Sequence, residues 1–463
     1  MKHRKLFTFT IFIFWVLVAS CKQNPIFYII STEKPLQKAY IPGTPTKMVV
    51  FEREYDNPAY DQNDPGSNPK ISVPMLYVAS GTKLHWYAKE GQNAHQPPDT
   101  PKSKWDLSEY SISQPKGKGR IIDIAASSDH LYALRVDENN PNATLWRIGH
   151  KGDWEQIVPD NSDAYPFIQT IYADPLTDRL FAGVLQKNRT DYAILFLDTN
   201  SSGNPELKVL ISNTFMLTGA AGRTENGDTY YYLCTRDNIE RTVDTDSSTR
   251  GTGIFQVAET ALAAPDFQAN GNAIKWYNDK NDSGVDEKKR TKQFMGMIRL
   301  DNDMIIAVER KGGTLYEVKD GAFSRMKYTD TNENNITVGA YSTGALTIWK
   351  DQDQSPKILT AGLQTNLYSD TSYTNGYVEF ELNPANGSFK TDGTRNSPPS
   401  ITVGGNTERY TTSIGQYIIN YMFQAPYKID EEMTFFASTQ IAGLWSYRFI
   451  GGVPQWNAET NER

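Results

Sequence analysis

Residues 120–158 read RIIDIAASSDHLYALRVDENNPNATLWRIGHKGDWEQIV, and this stretch decides the fold. Four short runs rich in aliphatic and aromatic residues follow one another in it, at 120–127, 131–135, around Leu145 and at 153–158. Ser, Asp, Asn, Pro and Gly separate the runs. This composition is typical of β-strands joined by turns. The stretch therefore predicts one sheet of four antiparallel strands.

The same pattern recurs seven times along the chain. In each unit the predicted third strand is centred on an aliphatic residue, and an aromatic residue follows one or two positions later. The aliphatic markers are Leu84, Leu145, Ile194, Ile254, Leu315, Val378 and Leu444. The predicted second strands begin at Met75, Leu131, Leu180, Tyr230, Met304, Ala345 and Met433.

Repetition of a four-stranded unit at roughly even spacing is typical of a β-propeller. We therefore predict an all-β fold, a seven-bladed β-propeller with four antiparallel strands per blade. Six or eight blades are compatible with the pattern, because the sixth unit is the least regular and its segment 351–375 has room for an extra hairpin. The alternative architecture is a pair of β-sandwiches with chance periodicity.

The N-terminus carries three basic residues, then an apolar stretch from Leu6 to Ala19. That stretch is short for a membrane span, which needs about 20 residues, and suits a signal peptide. The residues at the end of this stretch, Val18-Ala19-Ser20-Cys21, resemble the lipobox of bacterial lipoproteins. The predicted domains are a signal peptide at 1–20, a lipidated cysteine and extended tether at 21–45, and a propeller at 46–463.

The resemblance implies cleavage before Cys21, a diacylglycerol thioether on its sulfur and acylation of the new amino group, with palmitate-type chains. It places the chain in the bacterial cell envelope, anchored to a membrane through that lipid, and leaves the leaflet open. Several acyl chains anchor stably, whereas one alone is marginal. An ordinary secretory signal, or an uncleaved anchor, is the alternative.

The charge balance bears on the class of partner. The chain has 47 basic and 54 acidic residues, a formal charge of −7. Loss of Lys2, Arg4 and Lys5 with the signal peptide leaves 44 basic residues and a charge of −10. We expect no nucleic-acid partner, because no basic block interrupts this acidic balance. Apart from Cys21, the single cysteine is Cys234, which we expect to be a buried apolar residue.

We expect a non-catalytic binding or scaffold module that recognises an envelope protein or glycan through one face of the propeller. Long predicted loops on one face favour this, since such loops are uncommon unless they bind something. Tolerated surface insertions are the alternative explanation. The predicted loops are 236–250, 278–293, 351–375 and 392–413, and the predicted binding residues are Arg241, Tyr368, Tyr373 and Arg395.

The competing hypothesis is an envelope enzyme, a polysaccharide hydrolase or lyase, with an acidic site at the channel of the propeller. Its candidate acids are Asp123, Asp174 and Asp301, which follow or end predicted first strands. No motif identifies a catalytic residue, a cofactor or a metal site. Asp330-x-Asn332-x-Asn334 has the spacing of a calcium loop, but it lacks the glycine and the glutamate that such a loop requires.

Overall fold

A computed structural model describes residues 39–459, with gaps. The longer gaps are 89–104, 159–164, 199–204, 237–252, 265–273, 280–291, 330–340, 350–356, 364–376, 383–388, 391–400 and 409–413, and the others are one to three residues long.

The first four sheets follow the order of the chain. They comprise β1 (Val49–Asp56), β2 (Lys70–Ser80) and β3 (Lys83–Ala88); β4 (Arg120–Ala126), β5 (His130–Asp137), β6 (Asn140–Gly149) and β7 (Glu155–Ile157); β8 (Phe167–Ala173), β9 (Leu180–Leu185), β10 (Tyr192–Asp198) and β11 (Glu206–Thr214); and β12 (Met216–Glu225), β13 (Asp228–Arg236), β14 (Ile254–Ala258) and β15 (Ile274–Trp276).

Three more sheets complete the series. They comprise β16 (Asn278–Asp279), β17 (Phe294–Arg299), β18 (Ile305–Glu309), β19 (Leu315–Lys319) and β20 (Ala322–Arg325); β21 (Tyr328–Thr329), β22 (Tyr341–Trp349), β23 (Lys357–Leu363), β24 (Tyr377–Leu382) and β25 (Phe389–Lys390); and, after a small hairpin of β26 (Ile401–Val403) and β27 (Asn406–Glu408), β28 (Ile419–Ile429), β29 (Glu432–Thr439), β30 (Leu444–Ile450) and β31 (Val453–Ala458). A short helix, α1 (Glu259–Leu262), follows β14, and a 3-10 turn spans Ser108–Tyr110.

These seven sheets are the blades of a β-propeller, which confirms the predicted fold class. The innermost strands contact one another in sequence: β1 with β4, then β8, β12, β17, β22 and β28. Within each blade, successive strands pair antiparallel, and β16 and β21 each add a short parallel strand to the outer edge of the following blade. Blade 1 has three strands among the described residues, because 89–104 is not described.

Apolar layers between the blades form the core. Between blades 2 and 3, for example, Tyr132 and Leu134 pack in one cluster with Ile168 and Ile171, and all four are buried. The burial of each such side chain is worth about 1.5–3 kcal/mol relative to exposure. Each blade is therefore stabilised mainly by its two neighbours.

The sixth blade differs from the predicted arrangement. Residues 345–349 were expected to form its second strand, but they are the second half of its first strand, β22. The second strand is β23, which lies inside the segment 351–375 that we expected to be a loop. The error has a physical cause, because β22 loses regular pairing between Ser342 and Leu346, so its apolar half resembles a separate strand.

The innermost strands share an irregularity. From blade 2 to blade 7, each first strand shifts register against its second strand, once in blades 2 to 6 and twice in blade 7, whereas β1 pairs without a shift. Such bulges leave a residue outside the regular ladder and increase the local twist. The residues at the shifts are Ile122, Gln169, Thr218, Met295, Gly344 and Asn420, and all of them line the central channel.

Residues 39–45 close the ring. The backbone N–H of Tyr40 donates to the carbonyl oxygen of Glu459 at 2.6 Å, and the N–H of Leu444 donates to Ile41 at 3.0 Å. Gly43 forms a parallel bridge with Ala442. We call residues 39–45 the latch. They pack on blade 7. The sequence predicted an extended tether as far as residue 45, so the packed part of the chain begins earlier than predicted.

Candidate functional site

The central channel is the main cavity among the described residues. Its volume is about 1540 Å³, and first strands from all seven blades line it. We call the end at which the first strands begin the entry face, and the opposite end the exit face. Connections from a second to a third strand, and from one blade to the next, lie at the entry face. This follows from the antiparallel order of the strands.

A buried ion pair lies on the channel wall between blades 1 and 2. The Lys47 ammonium is 3.0 Å from the Asp123 carboxylate, and both side chains are largely buried. Lys47 also donates to the carbonyl oxygen of Ile171 in blade 3 and lies over the Tyr172 ring, 3.9 Å from its centroid. One cation thus joins three blades.

The other oxygen contacts of Asp123 complete the joint. Its carboxylate accepts hydrogen bonds from the Thr170 hydroxyl at 3.0 Å and the Ile171 backbone N–H at 2.9 Å. Burial lowers the pKa of Lys47, and the neighbouring Asp123 opposes this shift. With three partners around its ammonium, Lys47 is placed to hold the blades together.

The polar contacts continue into blades 4 and 5. The Tyr172 hydroxyl donates to the carbonyl oxygen of Thr218 at 2.6 Å, and the Thr218 hydroxyl donates to the carbonyl oxygen of Phe294 at 2.7 Å. Burial raises the pKa of Tyr172 and of Tyr421, which also lines the channel. Both phenols therefore stay protonated at neutral pH.

Blades 5 and 6 meet through glycine. A Cβ on Gly296 would lie 2.5 Å from the carbonyl oxygen of Gly344. Gly344 itself has a φ of +88°, and a Cβ there would overlap the carbonyl oxygen of Met295. On this side of the channel, backbone approaches backbone, which only glycine permits.

The two candidate acids that the structure describes, Asp123 and Asp174, have different partners. Asp123 is held in the ion pair, and Asp174 accepts a hydrogen bond from Thr177 at 3.2 Å within its own turn. Asp123 lines the central channel, and Asp174 lines an adjoining cavity of about 600 Å³ toward the exit face, which shares Ala173, Ala220 and Tyr421 with the channel. Asp301 lies outside the described residues. Sequence reasoning missed Lys47, although a lysine within a predicted innermost strand was a usable signal.

The remaining predicted site residues lie outside the part of the chain that the structure describes. They are Cys21, Arg241, Tyr368, Tyr373 and Arg395, and the Asp330 loop is also outside it. The strands that flank Arg241, β13 and β14, and those that flank Tyr368 and Tyr373, β23 and β24, are a second and a third strand. These segments therefore start and end at the entry face.

The buried histidines and the cysteine have structural partners. His85 Nδ1 lies 2.8 Å from Asp106, and His130 Nδ1 lies 2.9 Å from Asp178 of the next blade. The Ser127 hydroxyl also donates to Asp178, so this serine is not activated by the histidine. Cys234 is fully buried, and burial raises the pKa of its thiol to about 12. It behaves as the expected apolar residue.

The described residues lack a metal-binding cluster and a membrane-spanning helix. They contain no cluster of three or more His, Cys, Asp or Glu side chains suited to a metal ion. None of the helices within the described ranges has the length and apolar character that a membrane crossing requires.

Comparison with known proteins shows similarity of fold. No family model and no curated protein matches the chain. Among solved structures, YCF48 bound to D1 peptide superposes with a TM-score of 0.41 at 9% identity, over 91% of this chain and 98% of that one. The N-terminal domain of Nup159 gives 0.39 at 9% identity, over 89% and 97%.

A third similar structure is PorZ, a surface component of the type-IX secretion system of Porphyromonas gingivalis. Its TM-score is 0.41 at 12% identity, over 80% of this chain and 42% of that one. At this level of similarity the comparisons concern the fold alone.

Proposed function

We propose that this chain is a non-catalytic binding or scaffold module, held at a membrane of the bacterial envelope by lipid on Cys21, which captures an envelope protein at the entry face of the propeller. One observation carries the proposal. The polar side chains of the channel wall are bonded from blade to blade, as in Lys47, Asp123 and Tyr172. They supply a rigid ring instead of a reactive group.

The connections of blades 4 to 6 supply the proposed contact surface. The segments 237–253, 277–293 and 364–376 each begin and end at the entry face, as does the connection from blade 6 to blade 7. Function in such folds sits on loops that a rigid scaffold positions. Arg241, Tyr368, Tyr373 and Arg395 lie in these segments and are the proposed contact residues. Tyrosine and arginine are enriched where proteins bind one another.

The test is crosslinking in intact cells with a C-terminally tagged chain, followed by mass spectrometry of the captured proteins. We expect replacement of 364–376 by a short Gly-Ser turn to reduce capture of a reproducible partner about ten-fold or more. This replacement leaves β23 and β24 intact. The matched control shortens 89–104, which follows the end of β3 at the exit face, and should retain capture.

Each outcome of the crosslinking test has a definite meaning. Equal capture by both variants would place the contact surface elsewhere. Recovery of glycan instead of protein would replace the protein partner with an envelope polysaccharide. The lipid is scored in the same strains by incorporation of labelled palmitate, which Cys21→Ser should abolish and Cys234→Ala should leave unchanged. Persistent incorporation in Cys21→Ser would contradict the anchor.

A further inference from the structure

Four exposed basic side chains cluster at the entry face of blades 1 and 2. Lys83 is the first residue of β3, Lys116 and Lys118 lie in the connection that leads into β4, and Arg120 is the first residue of β4. The cluster stands out because the chain as a whole carries a formal charge of −7.

Hydrogen bonds hold the two basic segments together. The backbone N–H of Ile121 donates to the carbonyl oxygen of Gly81 at 2.8 Å. The Arg135 guanidinium links the two segments, because it donates hydrogen bonds to the carbonyl oxygens of Thr82, at 2.8 Å, and of Gly117. Two acidic residues lie at the edge of the cluster: Asp137 lies against Gly119, and Asp106 accepts a hydrogen bond from the Tyr40 hydroxyl at 3.0 Å.

The basic cluster is continuous with the latch. The Ser80 hydroxyl donates to the carbonyl oxygen of Pro42, and the Thr44 hydroxyl donates to that of Gln440 in blade 7. Next to Gln440, Ile441 is 78% exposed, and Tyr40 on the latch is 39% exposed. One sector of the entry face, formed by blades 7, 1 and 2, thus presents exposed apolar side chains beside exposed cations. We call it the basic sector.

The chain leaves the ring at this same sector. Ala39 is the first described residue and packs on blade 7. Residues 22–38 separate it from Cys21, and such a segment spans at most about 60 Å when fully extended. A lipid on a tether of this reach would keep the ring near a membrane without orienting it. Orientation requires a second contact.

We propose that the basic sector docks on an anionic lipid bilayer and orients the ring on the membrane. This inference rests on the proposed lipid anchor and adds a surface to it. Basic side chains beside a membrane are attracted by anionic headgroups, and a bulky apolar side chain adds to the binding by entering the interface. Attachment of the tether beside the sector favours a bilayer over a soluble anion as the occupant.

The test measures the accessibility of lysines in the full-length protein on vesicles. The protein is mixed with neutral phosphatidylcholine vesicles and with vesicles that also contain phosphatidylglycerol, and then labelled with an amine-reactive reagent. We expect labelling of Lys83, Lys116 and Lys118 to fall about five-fold on the anionic vesicles. Labelling of Lys319, exposed at the exit face, should stay the same.

A charge-reversal variant completes the test. Lys116→Glu/Lys118→Glu should remove the protection of Lys83, whereas the matched control Lys187→Glu/Lys319→Glu, which reverses two exposed lysines outside the sector, should retain it. Equal labelling of Lys83 on both vesicle types would overturn the inference, as would unchanged protection in the sector variant.

Failure of the anchor is recognised separately. If the chain carries no lipid, it incorporates no labelled palmitate. That unlipidated chain is then mixed with the same vesicles. If its lysines are labelled equally on both vesicle types, docking is overturned as well. Loss of partner capture leaves this readout unaffected.

Discussion

The two sides of the central channel solve the same packing problem in different ways. From blade 1 to blade 5, the first strands are joined by side chains, with the Lys47–Asp123 pair at the centre. Between blades 5 and 6, the bulges are joined by backbone contact at Gly296 and Gly344. A bulge leaves backbone groups at the channel wall outside the regular ladder. Neighbouring first strands can then be joined by polar side chains that bond to these groups, or by glycines that let one backbone contact the other.

The two sides should fail differently when mutated, and the polar side should show the largest effect. Asp123→Ala leaves the Lys47 ammonium buried without its counter-ion, so we expect a loss of about 3–5 kcal/mol in the free energy of unfolding. Urea unfolding measures it. Asp129→Ala, an exposed aspartate of the same blade, is the control and should change stability by less than about 0.5 kcal/mol.

A second variant separates the charge from the packing. Lys47→Met/Asp123→Leu removes both charges and should be more stable than Asp123→Ala, because no unpaired charge remains. If the double variant were as unstable as the single one, the ion pair would matter through its shape alone, and the contrast between the two sides would lose its basis.

The glycine side should show a somewhat smaller effect. Gly344→Ala places a Cβ against the Met295 carbonyl oxygen at a φ of +88°, so we expect a loss of about 2–4 kcal/mol. The control is Gly81→Ala, which has a φ of +60° and open space around its Cβ. It should lose about 1–2 kcal/mol from backbone strain alone. Equal losses would show that Gly344 is needed for its φ and not for the contact between blades.

The smallest effect concerns pH, and it tests a titratable joint between blades 2 and 3, where His130 and Ser127 contact Asp178. Burial of Asp178 favours its neutral form, but hydrogen bonds from His130 and Ser127 outweigh this and lower the pKa of Asp178 below the usual 3.8. The unfolded state therefore binds more protons in acid. The stabilisation is present above pH 3.8 and is lost as the pH falls through the lower pKa of the folded state.

Unfolding midpoints measured between pH 6 and 3 test this sign. Asp178→Asn should flatten the acid side of the stability curve relative to wild type. Gly344→Ala should shift the whole curve downward without a change in slope, since no titratable group is altered. A parallel shift in Asp178→Asn would show that the joint between blades 2 and 3 does not depend on the charge of Asp178.

The strands that the sequence predicted well are those with the simplest environment. Each predicted third-strand marker, from Leu84 to Leu444, lies in an observed third strand, because each of these strands carries a short apolar run around its marker. The prediction was wrong in blade 6, where the break in β22 around Gly344 divides one strand into two apparent ones. The sequence of a strand alone does not show where its pairing with the next strand breaks.

The site was predictable to a similar degree. Asp123 was singled out as an acid at the end of a first strand, and it does line the channel. Its neutralisation was not foreseen, because the partner Lys47 lies 76 positions earlier in the chain, in another blade. Which side chains meet across the channel depends on how the blades close into a ring, and this is a property of the assembled fold.

The latch has a mechanical consequence. Residues 39–45 form the only described path from the N-terminal segment into the ring, and they run along the joint between the last blade and the first. Any tension applied through residue 38 therefore reaches the closing joint before it reaches a blade. The bonds of Tyr40, Ile41 and Gly43 to blade 7 bear that force first. A protein pulled by its N-terminus would thus open at its seam, while each blade remained folded on its neighbours.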